Sequence, residues 1–190
     1  MSGVALLIGS LRQGSLTRQV AQALVAVAAP VLRLEAVPIG HLKFYNPQLD
    51  DAPLPEWTAF RSTVHAADAV LFVTPESPGP VPGVLRNAID IGARPAGRSA
   101  WQGKPGGVVR VGPGPQVAAA PGRHLQRSLQ GLNVPTLALA EACQAGSGAL
   151  FDERGQLADR ATREFLLRFV VAFSSWIELH RRRGGRASAG

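Results

Sequence analysis

The sequence lacks the residues and motifs that mark several common classes of protein. One cysteine in 190 residues excludes an internal disulfide, and Cys143 has no metal-ligand spacing, so we expect it to be a small buried residue. The NTPase phosphate loop, the dinucleotide fingerprint G-x-G-x-x-G and the hydrolase motif G-x-S-x-G are all missing. The four histidines follow no metal motif either, so the sequence predicts no metal ligands.

Long apolar runs are also scarce, although 46% of the residues are hydrophobic and only 17% are charged. The most apolar stretch, residues 20–32, is interrupted by Gln22 and Pro30 and is too short to span a bilayer. The N-terminus has no charged segment ahead of an apolar one, as a signal peptide would. We therefore expect one globular domain in a reducing cytoplasm, with no membrane insertion.

Acidic residues are outnumbered, and the net charge is +7, but the excess is concentrated at the end of the chain. Four of the 20 basic residues are arginines within the last ten positions; without them 16 basic residues face 13 acidic ones, a balance of +3. We predict a domain over 1–180 and a disordered Arg/Gly-rich tail over 181–190. No aromatics are interleaved with the arginines for base stacking, so nucleic acid is not favoured as a partner.

The first predicted strand and the turn after it dominate the pattern. Residues 4–8 are five consecutive apolar residues, typical of a strand buried on both faces of a parallel sheet. A glycine-containing turn follows, ahead of a helical pattern, and it contains three hydroxyls and a guanidinium: Ser10, Arg12, Ser15 and Thr17. Such groups at a helix N-terminus suit a terminal phosphate such as that of FMN. The alternative is a Ser/Thr-rich helix cap that binds nothing.

Strand and helix patterns alternate along the rest of the chain. A long loop with four prolines covers 38–55, and Gly/Pro-rich segments follow two of the buried strands, at 74–83 and 112–115. The predicted strands are 31–37, 69–73, 108–111 and 134–140, and the predicted helices are 15–29, 56–67, 82–92, 116–129 and one that Asp159 caps. This count predicts an α/β, flavodoxin-like, doubly wound five-stranded parallel sheet with helices on both faces.

The loops after the three buried strands should meet at one edge of that sheet, because parallel strands joined by right-handed crossovers all end there. The first and second buried strands should be neighbours where the winding direction reverses, and ligands bind in the crevice at such a point.

Three groups of residues together resemble the NAD(P)H-dependent FMN reductases, whose relatives reduce quinones, azo dyes and chromate. They are the turn 9–17, the segment 74–76 and the segment 82–90, and the likeness extends nearly from end to end. The resemblance implies an FMN cofactor, NADPH or NADH as co-substrate, a small-molecule electron acceptor and no catalytic side chain, because the flavin does the chemistry. It also implies a homodimer or homotetramer, which the aromatics Phe44, Tyr45 and Trp57 favour as well.

The site residues that the resemblance implies fall into two groups. The phosphate residues, which would contact the FMN phosphate, are Ser10, Arg12, Ser15, Leu16 and Thr17. The ring group, which would flank the isoalloxazine ring, consists of Pro75, Glu76, Ser77, Pro78, Val111 and Gly112.

The chain departs from the family pattern in the ring group. Ser77 and Pro78 stand where the family usually has Tyr-Asn, which removes an aromatic face and a backbone donor. Arg110 is a second departure; if buried, it would need an anionic partner, and otherwise it would point outward at the strand end. Two alternatives to an enzyme therefore stay open: a flavodoxin-like binding or regulatory protein without flavin catalysis, and a polyanion-binding protein.

Overall fold

The computed structural model describes residues 1–75, 81–113, 122–137, 143–145 and 150–187. Strands and helices alternate in the order β1 Ser2–Ile8, α1 Leu16–Ala28, β2 Leu32–Ala36, α2 Pro55–Ala66, β3 Ala69–Pro75, α3 Gly83–Gly92, β4 Gly106–Pro113, α4 Gly122–Gly131, β5 Cys143–Ala145 and α5 Arg160–Ala187. A short 3-10 helix, Pro47–Leu49, interrupts the long loop after β2. Among the described residues, no helix is both long and apolar enough to cross a bilayer.

The five strands form one parallel sheet in the order β2-β1-β3-β4-β5. This is the flavodoxin-like order, so the predicted fold class is confirmed. β1 pairs with β2 on one side and with β3 on the other, so the winding reverses beside β1 as predicted. β2 lies at the sheet edge, and its alternating exposed and buried residues agree with the predicted edge strand.

The sheet separates two hydrophobic cores. α1 and α5 cover one face, where the stripe Leu166, Phe169 and Phe173 of α5 is fully buried. α2, α3 and α4 cover the other face around Trp57, Phe72 and Trp101. Residues 4–7 are buried because β1 contributes side chains to both cores.

Local signals set most of the helix boundaries. Ser15 caps α1, and Asp159 caps α5 by accepting a hydrogen bond from the Thr162 backbone N–H at 2.7 Å, as predicted. Pro82 is the N-cap of α3 rather than its first residue, and Gly92 ends that helix as expected. Only the second part of the predicted helix 116–129 is among the described residues, where α4 begins at Gly122.

Two predictions differ from the structure. The last strand was expected at 134–140; within the described part of that segment Thr136 makes one isolated bridge to Gly106, and β5 lies further on, at Cys143–Ala145. Residues 138–140 of the predicted strand lie outside the described residues, and the preceding part already bonds to the start of β4, where the Gly106 N–H donates to the Pro135 carbonyl and the Leu137 N–H donates to the Gly106 carbonyl. The second difference concerns the tail expected from residue 181: α5 is helical up to Ala187, while 188–190 lie outside the described residues.

Candidate FMN site

The turn after β1 is fixed against β3 and α3 by close packing. The Gly9 N–H donates to the Val73 carbonyl at 2.8 Å. A Cβ atom at Gly9 would lie 2.7 Å from a methyl carbon of Leu85 and 3.1 Å from the Pro75 ring, so no larger side chain fits without displacement. The sequence thus places glycine where the turn passes directly over the neighbouring strand end.

The N-terminus of α1 presents hydrogen-bond donors to the same edge. Ser15 Oγ accepts from the Arg18 backbone N–H at 3.3 Å, which leaves the hydroxyl proton for a ligand oxygen. None of the described residues accepts a hydrogen bond from the backbone N–H of Leu16 or Thr17. The first turn of α1 contains no acidic residue, so the positive end of the helix dipole is not neutralised there.

The predicted phosphate residues lie together on this turn but differ in exposure. Ser15 and Thr17 are buried, Ser10 is half-buried, and Arg12 is exposed. Arg18, which the sequence analysis did not select, also reaches the turn: its Nη1 donates to the Ser10 carbonyl at 3.3 Å. Its position three residues after the capping serine was the available signal, since residues three apart lie on one helix face.

The ring group begins at the same sheet edge. Thr74 pairs with Arg110 and Pro75 with Val111, so the ends of β3 and β4 lie side by side next to the end of β1. Val111 and Gly112 are buried there. Glu76, Ser77 and Pro78 lie outside the described residues, and so does most of the loop after β4. Arg110 is half-buried and takes part in an interaction, so it is not an unpaired strand-end cation.

The long loop after β2 is held over α2 and α3 by one buried amide that the sequence analysis missed. Asn87 Oδ1 accepts from the Tyr45 N–H at 2.8 Å, and its Nδ2 donates to the Leu42 and Lys43 carbonyls at 3.2 Å each. Trp57 Nε1 adds a bond to the Lys43 carbonyl at 3.1 Å. The loop therefore has one fixed conformation at the edge of the candidate site.

A partly buried polar cluster stabilises the far side of this loop. The Tyr45 hydroxyl donates to Asp50 Oδ2 at 2.8 Å, and desolvation together with this bond raises the pKa of Tyr45. Asp50 Oδ1 lies 3.9 Å from Arg61 Nη2, an ion-pair distance too long for a hydrogen bond. Arg61 Nε donates to the Ile91 carbonyl at 2.8 Å, and burial lowers the pKa of Arg61. This cluster is structural, because it joins the loop to α2 and α3.

The geometry of the turn at residues 9–17, which we call the phosphate turn, suits a phosphate monoester. It offers helix N-terminal N–H groups, two buried hydroxyls and a nearby guanidinium, with no carboxylate in the first helical turn. Oriented backbone donors, hydroxyls and arginine are the groups that hold dianionic phosphate in proteins. The packing of Gly9 onto β3 and α3 places this cradle beside the end of the strand from which the ring group starts.

Comparison with known proteins agrees with this geometry. The sequence profile of the family described as NADPH-dependent FMN reductase matches residues 3–143. A quinone reductase from Pseudomonas putida is 46% identical over 94% of this chain and 96% of its own, and a 2-hydroxy-1,4-benzoquinone reductase from Burkholderia is 33% identical over 92% and 95%.

A solved structure has the same fold over nearly its whole length. The flavoenzyme NAD(P)H:(acceptor) oxidoreductase FerB from Paracoccus denitrificans superposes with a TM-score of 0.86 at 33% identity, covering 95% of this chain and 99% of that one. The profile match covers most of the chain, and the relatives align over nearly their whole length. The chain therefore belongs to the NADPH-dependent FMN reductase family.

Proposed function

We propose that this protein is an NAD(P)H-dependent quinone reductase that works through FMN. The principal support is the phosphate turn, where the first N–H groups of α1, which have no acceptor among the described residues, and the buried Ser15 and Thr17 lie at the reversal point of the sheet. Membership of the FMN reductase family is the reason for proposing FMN as the cofactor and NAD(P)H as the co-substrate. The relatives named quinone reductase are the reason for proposing a quinone as the acceptor. Bound FMN supplies the redox chemistry, because it accepts a hydride from NAD(P)H and passes reducing equivalents to the acceptor.

In this proposal, the chain itself binds and orients. Ser10, Ser15 and Thr17, with the N–H groups of α1, hold the cofactor phosphate, and Arg12 adds a charge-assisted contact from the solvent side. Pro75, Val111 and Gly112, with residues 76–78, flank the isoalloxazine ring. No side chain is asked to act as a general base, since hydride transfer to and from a flavin does not require one.

We also propose that the protein is a homo-oligomer and works in the cytoplasm. Of the three aromatic residues Phe44, Tyr45 and Trp57, only Phe44 supports an oligomer. Phe44 is 84% exposed, whereas Trp57 is fully buried in its own chain and Tyr45 is half-buried. Phe44 lies between two peptide groups that Asn87 fixes, so it is displayed with little conformational freedom to lose on contact. A monomeric mass in sedimentation at micromolar concentration would contradict the oligomer.

The deciding experiment measures quinone-dependent oxidation of NADPH and NADH by the FMN-loaded protein. We expect steady turnover with a benzoquinone as acceptor and little without one. Bound FMN combined with no oxidation of either nicotinamide would instead favour the non-catalytic binding protein.

A further inference from the structure

A crevice of about 380 Å³ opens beside the phosphate turn, on the side away from the ring group. It lies at the carboxyl edge of the sheet, between the ends of β1 and β2, so it is distinct from the ring site at the ends of β3 and β4. Its volume is within the range of small-molecule sites, about 300–1,000 Å³. It is lined by Ile8, Leu11, Arg18, Ala36, Val37, Pro38, Ile39, Gly40 and His41.

The crevice has a guanidinium and an imidazole in its lining. Arg18 and His41 both line it, and the described lining residues include no carboxylate. One Arg18 donor, Nη1, bonds to the Ser10 carbonyl, which fixes the guanidinium between the phosphate turn and the crevice. A guanidinium has five N–H donors, so others remain for a ligand. The crevice is therefore suited to an anionic group.

The remaining lining is largely apolar. Ile8, Pro38 and Ile39 supply aliphatic surface, and Leu11, an apolar side chain that is 54% exposed, also lines the crevice. A Cβ at Gly40 would lie 2.7 Å from a Leu11 methyl carbon, so the loop after β2 and the phosphate turn are in direct contact here. Apolar surface beside a guanidinium suits a nucleotide base attached to a phosphate.

A second cleft in the molecule provides a contrast. It has a similar volume, about 360 Å³, and lies at the opposite edge of the sheet, where Glu35 and Asp68 accompany Arg33 in its lining. Two carboxylates there oppose an anionic ligand. The crevice beside the phosphate turn differs from this cleft, because it has a guanidinium with no carboxylate among its described lining residues and lies next to the candidate site.

We propose that this crevice binds the 2′-phosphoadenosine half of NADPH, with Arg18 and His41 on the 2′-phosphate and the adenine against the apolar walls. The inference rests on the proposed function, since it names the nicotinamide co-substrate of the same site. β2 is two strands from β3 and three from β4, about 10–14 Å, and an extended dinucleotide can span that distance from the ring site. Arginine is the residue type that accommodates a 2′-phosphate elsewhere.

The test uses a binding probe as well as turnover. In the FMN-loaded protein, 2′,5′-ADP should bind at least about tenfold more tightly than 5′-ADP, which has the same number of phosphates but none at the 2′ position. Calorimetric titration of both probes measures this without catalysis. His41→Ala and Arg18→Met should each remove most of the difference, whereas His65→Ala, at an exposed histidine near the end of α2, should preserve it.

Steady-state kinetics give the second readout. His41→Ala should lower kcat/KM for NADPH by about tenfold and that for NADH much less, so the ratio between the two substrates falls. Because Arg18 also contacts the phosphate turn, the FMN affinity of Arg18→Met is measured as well. If that affinity drops, the result for Arg18→Met is set aside and the proposal is judged on His41→Ala. Equal binding of the two ADP isomers, or an unchanged NADPH-to-NADH ratio in His41→Ala, would overturn the proposal. Failure of the proposed function looks different: neither nicotinamide would be oxidised, and the ADP titration would still give its own answer.

Discussion

Replacing Arg12 with alanine should weaken FMN binding and leave riboflavin binding unchanged. Riboflavin has the same ring but no phosphate, so it does not use the phosphate turn. A hydrogen bond to a charged group contributes about 1.5–3 kcal/mol. Arg12 is exposed, and solvent screens an exposed charge, which places the expected loss near the lower end, about 1–2 kcal/mol. That corresponds to roughly a 5- to 30-fold increase in the Kd of FMN.

The turn's other donors explain why binding should weaken rather than vanish. The Leu16 and Thr17 N–H groups and the buried hydroxyls of Ser15 and Thr17 are still present in the variant. Quenching of flavin fluorescence on titration gives both Kd values, and Arg33→Ala controls for the loss of one positive charge. Equal weakening of FMN and riboflavin by Arg12→Ala, or an equal effect of Arg33→Ala on FMN, would refute the assignment of this turn to phosphate.

Further predictions concern the site and the fold around it. Asn87→Ala leaves the Tyr45 N–H and the Leu42 carbonyl without their partner, so urea denaturation should show a loss of about 2–5 kcal/mol, against under about 1 kcal/mol for Arg86→Ala next to it. Gly92→Ala should cost about 1–3 kcal/mol in the same assay, because a Cβ there would lie 2.4 Å from the buried Trp101 ring. Hydrogen bonding from the Thr162 side chain, and then from its backbone N–H, lowers the pKa of Asp159. The contribution of Asp159 to stability is therefore present above the ordinary aspartate pKa and is lost as the pH falls through the lowered value, so wild type and Asp159→Ala should converge in acid-denaturation curves. Ser77→Tyr with Pro78→Asn should raise FMN affinity and NAD(P)H oxidation together, and tight stoichiometric FMN binding by the unmodified chain in the flavin titration would show that this expectation is wrong.

The sequence by itself determined the elements whose signals are local. Five consecutive apolar residues predict β1, because a strand that is buried on both faces has apolar side chains at every position and does not alternate them with polar ones. Ser15 and Asp159 mark two helix starts, because a short polar side chain satisfies the N–H groups of the first turn. The phosphate residues could be selected for the same reason, since all of them lie within residues 10–17, on one turn and the start of one helix. Alternating strands and helices then favoured a parallel sheet, and the observed order agrees.

Only the tertiary structure decided the features that depend on residues distant in sequence. Trp57 was expected to be hard to cover within one chain, yet it is fully buried in the core with Phe60 and Val64 of its own helix, and Asn87 holds the loop after β2 from more than 40 positions away. The apolar pattern at 134–140 did not give the bounds of the final strand. In its described part Thr136 forms a parallel bridge to Gly106 at the start of β4, and β5 itself pairs with the end of β4 at Cys143–Ala145. The crevice of Arg18 and His41 likewise exists only because the β1–α1 turn and the loop after β2 meet in space. Helix caps and buried strands are local in their energetics, while side-chain burial, strand register and clefts depend on which segments the folded chain brings together.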